Sequence, residues 1–178
     1  MRQLKHICEG LLKGQTSTLA NGENDIKAAL NIPTLDDFRW NSSGSSVYFP
    51  CEDRLKKYNG YRWCPMRASG LQFSVSHNPV LQKCTISISL CNENEKFASY
   101  YAPDIKGWSA KYYSDKPLRY CKKVVISLIE HIAKNPKAFD AMINYNAEIY
   151  KDIACRQSYD DGRPMKIRGL EELFKIKG

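Results

Sequence analysis

Apolar and polar positions alternate strictly in two stretches of the chain. Leu71, Phe73 and Val75 alternate with Gln72, Ser74 and Ser76, and Cys84, Ile86, Ile88 and Leu90 alternate with Thr85, Ser87 and Ser89. A period of two puts each apolar set on one side of a strand. The intervening "HNPVLQK" carries an Asn-Pro turn signal, so residues 71–90 read as an antiparallel hairpin. Shorter strands are expected at Val47 to Phe49, stopped by Pro50, at Phe97 to Tyr101 and at Gly107 to Tyr113. Tyr61 to Arg67 reads as an extended segment, and "NSSGSS" (41–46) as a loop.

The last third changes period. Leu118, Cys121, Val125, Leu128, Ile129 and Ile132 recur at helical spacing, with Asp115 as the expected cap and Pro117 in the first turn. Asn135-Pro136 starts a second helix through Phe139, Met142, Ile143 and Ala147. These helices should cover about 116–134 and 136–155. "YDDGRP" breaks the pattern, and Gly169 to Ile176 reads as a last turn or two. At the other end, Leu4, Ile7, Cys8, Leu11 and Leu12 form an amphipathic stripe closed by Gly14, followed by a polar stretch to Asn24. Short helices are expected at Asp25 to Leu30, ended before Pro33, and after Thr34, whose cap Asp37 can complete. Asp53 to Tyr58 fits one more helical turn. Small helices, then antiparallel strands, then two long helices describe an α+β fold. It divides into an N-terminal helix with its linker (1–24) and a single domain (25–178).

Charge is unevenly spread. The net charge is +8, yet residues 1–50 hold five of the 27 Lys/Arg and five of the 19 Asp/Glu, so the whole excess follows residue 50. A basic body suits a polyanionic partner. No apolar run approaches the ~20 residues that cross a bilayer. No secretory leader is recognisable, and seven cysteines, an odd number, fit a reducing compartment. No membrane partner is expected.

Few residues suggest catalysis or metal binding. Structural zinc needs close ligand pairs, but Cys51 and Cys64 are thirteen apart and Cys84 and Cys91 seven apart. No metal or cofactor is expected. His77, at a strand end, is the histidine best placed for chemistry, but nothing singles out its partner. No nucleophile elbow, phosphate loop, zincin or dinucleotide motif is present. The reading leans away from an enzyme.

The nucleic-acid case is stronger. Lys106, Trp108, Lys111 and Tyr112 interleave cations with aromatics in "KGWSAKYY", and Arg119, Lys122 and Lys123 meet on the next helix. Rings can stack bases while cations hold phosphates. The leading expectation is therefore non-enzymatic binding of nucleic acid or of a nucleic-acid-bound machine. The alternatives are a protein-interaction or virion structural protein, including an inhibitor of host defence, and then a small enzyme.

One resemblance adds a setting. Leu4, Ile7, Glu9, Leu11-Leu12, Thr18-Leu19 and Gly22, followed by Pro33-Thr34-Leu35 and Asp37-Phe38, resemble a segment that precedes otherwise different uncharacterised proteins of tailed gut phages. The resembling segment is most familiar from crAss-like and related gut phages infecting Bacteroidales, and "IAKNPKAFDAMINY" (132–145) has a similar look. The resemblance implies a phage protein working in the host cytoplasm or the virion, and carries no functional residue. Ile7-Cys8-Glu9 also resembles the I-x-E cleavage pattern of phage head proteases.

Overall fold

A computed structural model of the protein describes residues 26–41, 44–59, 61, 64, 68–92, 109–157 and 169–170. The N-terminal segment 1–24 and the strand expected at Phe97 to Tyr101 lie outside the described residues. So does most of the 61–67 segment.

Among the described residues, five antiparallel strands form one meander, β1 (Arg39–Asn41), β2 (Gly44–Pro50), β3 (Gly70–Asn78), β4 (Lys83–Cys91) and β5 (Ser109–Ser114), ordered as in sequence. Between β2 and β3 lies a short helix α1 (Glu52–Leu55), and two long helices follow the sheet, α2 (Leu118–Lys134) and α3 (Pro136–Gln157). The fold is α+β.

The predicted alternation sets the register. Leu71 faces Leu90, Phe73 faces Ile88 and Val75 faces Ile86 across β3 and β4. Val47 and Phe49 join from β2, and Ala110 and Tyr112 from β5. All of these are buried. A slip of one residue would turn the whole set over, so the pattern fixes the pairing. α2 packs on β3 and β4, and α3 packs on β5 and α2. Cys121, Val125, Leu128, Ile129 and Ile132 close the core from α2, and Phe139, Met142 and Ile143 from α3. Truncating Phe73 at its centre would cost about 3–5 kcal/mol.

Local chemistry explains the connections. In the β3–β4 turn, the Asn78 side chain accepts from the Val80 and Leu81 amides, both at 3.0 Å, while Pro79 supplies its preset φ. Gln82 takes the left-handed conformation at φ 50°. The Thr34 cap is completed by Asp37, whose Oδ2 accepts from the Thr34 amide at 2.7 Å and hydroxyl at 2.8 Å. Asn135 Oδ1 accepts from the Ala138 amide at 3.3 Å, as its position before Pro136 predicts. Arg54 of α1 reaches the far end of α2 and donates to the carbonyls of Ile132 (2.6 Å) and Ala133 (2.7 Å). These carbonyls lie in the last turn, where a cation is favoured.

Three expectations are corrected. The stretch 41–46 is not simply a loop. Asn41 ends β1, and Gly44, Ser45 and Ser46 belong to β2, where Ser45 pairs with Val75 and Ser46 with Ser74. Serines fit there because the Ser46 and Ser74 hydroxyls bond each other at 2.7 Å. Gly44 has φ 126°, and a Cβ on it would stand 2.6 Å from the Val75 carbonyl oxygen. Asp115 does not cap α2, which starts at Leu118 with Pro117 in the cap position; Asp115 pairs with Lys83 at 3.4 Å. Tyr112, expected at a binding surface, lies in the core. Among the described residues, no helix is long and apolar enough to cross a membrane.

Candidate nucleic-acid interface

The sheet has two unlike sides. Strand pairing puts Ala110 and Tyr112 on the helix-covered side, and Lys111 and Tyr113 on the other with Ser87 and Thr85. Gln72, Ser74, Ser76 and Ser89 share that second side, which is small and rich in hydroxyls as expected. The proposed β5–α2 constellation is thereby divided. Lys111 lies on the hydroxyl side, whereas Arg119, Lys122 and Lys123 ride on α2 across the sheet. Tyr112 is fully buried, and its hydroxyl donates to Asn146 Oδ1 at 2.5 Å. Its ring is therefore not available to stack a base. Lys106 and Trp108 lie outside the described residues.

What α2 meets instead is the edge of the sheet. Phe38 is buried where the chain enters β1, and Trp40 follows two residues on, in register with Ser45 on the helix-covered side. Among the described residues β1 ends the sheet's order, and Trp40 on it is 75% exposed. Lys122 leaves α2 on the flank facing this edge. Its Nζ lies 5.1 Å from the Phe38 ring centroid and 5.5 Å from that of Trp40. Both distances suit a cation–π contact. Arg119 and Lys123 are exposed beside it on the same helix.

The field at this end of α2 is positive twice over. The first turn contains no acid, and among the described residues no side chain caps it. Arg119 therefore sits by the positive end of the helix dipole, an arrangement that costs about 0.5 kcal/mol in isolation. A bound anion there would return the cost. The patch thus joins an exposed flat ring, a lysine held on that ring, and two further cations.

The thiols behave differently. Cys84 stands opposite His77 across the β3–β4 pair, a proximity the linear sequence hides. Yet Cys84 is buried and approaches Cys121 and Ser114, while His77 is exposed. Burial, reinforced by Cys84, pushes the Cys121 thiol up to about 11, and burial beside Cys91 pushes Cys51 up to about 12. Protonated, buried thiols are poor nucleophiles. Among the described residues, no cluster of three His, Cys, Asp or Glu side chains could hold a metal ion.

Trp40 is the residue sequence reading missed. Its tripeptide is too short for a readable alternation, and its neighbour Lys122 is 82 positions away. The available signal was a tryptophan between Arg39 and a run of small polar residues. Comparison of the chain with protein-family models, curated proteins and solved structures finds no match in any of the three.

Proposed function

We propose that this protein is a non-enzymatic nucleic-acid-binding protein that contacts its partner through Trp40 and the adjoining basic flank of α2. The observation that carries the reading is the Trp40–Lys122 contact at 5.5 Å, with Trp40 exposed and Arg119 and Lys123 alongside. An exposed tryptophan with cations around it suits an anionic, ring-bearing partner. The buried, protonated thiols favour binding over catalysis. The resemblance of the N-terminal segment supplies the setting, a phage-encoded accessory protein of the infected cell or virion.

Fluorescence anisotropy of labelled DNA and RNA oligonucleotides tests this. Binding at low salt is expected to weaken steeply as salt rises, since each neutralised phosphate releases counterions. No retention of either polymer at low salt overturns the reading and leaves a protein-interaction role.

A further inference from the structure

We infer that the nucleic acid bound is single-stranded, with one unstacked base lying on the open side of the Trp40 indole. This rests on the nucleic-acid reading above and narrows it. The indole is held from one side by Lys122 while three quarters of its surface meets solvent. A ring so presented offers a stacking platform of about one base. Within a duplex each base is covered above and below, so only a strand end, loop or single strand supplies a free ring.

The surroundings fit the same ligand. Trp40 stands on a three-residue strand at the end of the sheet's order, and among the described residues no further strand flanks it on the outside. Arg119 and Lys123, one turn apart on α2, are spaced to follow a flexible backbone away from the stacked base. Lys122 is placed differently. Its ammonium fixes the ring and can meet the phosphate next to the stacked base. Ring recognition and charge recognition are therefore assigned to separate residues, which makes them separable by experiment.

The test compares a single-stranded oligonucleotide with its own duplex, in DNA and RNA forms, against wild type, Trp40→Ala, Trp40→Phe and Lys122→Met. Wild type is expected to prefer the single strand at least about tenfold. Trp40→Ala should weaken single-strand binding about tenfold and duplex binding by a much smaller factor. Trp40→Phe should restore much of the loss. Lys122→Met should weaken both forms and flatten the salt dependence. Thermal melting of each variant is expected to match wild type, since Trp40 is exposed. Equal affinity for both forms, or equal loss on both in Trp40→Ala, overturns this inference while leaving nucleic-acid binding intact. Binding of polyglutamate as tight as of the oligonucleotides, insensitive to Trp40→Ala, also overturns it, because the patch would then read charge alone. Failure to bind any nucleic acid removes the underlying reading instead.

Discussion

The Tyr112 hydroxyl donates to Oδ1 of Asn146 at 2.5 Å, joining the edge strand β5 to the middle of α3 in a site closed to water. Asn146 is itself oriented by donating from Nδ2 to the Met142 carbonyl at 3.0 Å. Removing the hydroxyl strands a buried acceptor. Tyr112→Phe should destabilise by about 1–3 kcal/mol, which lowers Tm by about 5 °C for a chain of this size. Calorimetry checks the loss. Oligonucleotide affinity should not change, because the ring is a core residue.

Arg54 predicts a different kind of stability effect. Its guanidinium bonds two carbonyls in the last turn of α2 and lies 5.5 Å from the Phe139 ring. Arg54→Met should cost about 2 kcal/mol, seen as a lower urea midpoint at unchanged slope. Arg54→Lys should recover little, since a single ammonium does not reproduce a fork spanning two acceptors.

Alkaline pH should unfold the protein earlier than its charge alone implies. Burial raises Cys51 to about 12 and Cys121 to about 11, whereas both ionise near 9.0 once unfolded. Below about pH 9 both states keep these protons, and the stabilisation is complete. Above it the unfolded chain releases them first, so stability falls as pH climbs toward the folded values. Melting curves at about pH 8 and about pH 10 should show the drop. Replacing both thiols with alanine should reduce it.

The α2 flank and the hydroxyl side of the sheet should respond differently to charge reversal. Lys122→Glu, on the α2 flank, should weaken oligonucleotide binding about tenfold or more and reduce the salt slope by about one or two. Lys111→Glu, on the hydroxyl side, should change neither. Paired titrations over a salt series check both.

These outcomes track what the sequence disclosed. The strand alternation in 71–76 and 84–90 was legible because one side is covered by helices, and burial writes a period of two into the residues. The helical stripe of α2 was legible for the same reason. The short strand at 39–41 was not, since three residues cannot show a period. Ser46 reads as loop because its hydroxyl bond to Ser74, and not apolarity, suits it to the sheet. Tyr112 and Tyr113 look equivalent in sequence, yet one is core and the other on the opposite side. Only pairing with β4 decides which. Arg119, Lys122 and Lys123 are neighbours on α2 as their spacing predicts, whereas the contact of Lys122 with Trp40 joins residues 82 apart in the chain. Proximity across 82 residues is a property of the fold and leaves no local trace.

The central claim, that nucleic acid lies on the Trp40–α2 edge, is tested most directly by photo-crosslinking. A single-stranded oligonucleotide carrying 4-thiouridine is irradiated with the full chain at low salt, and the adducts are mapped by mass spectrometry. The account predicts adducts on Trp40 and on the α2 segment containing Arg119, Lys122 and Lys123. Adducts confined to the opposite side of the sheet, at Lys111 or Tyr113, would contradict it, as would none at all.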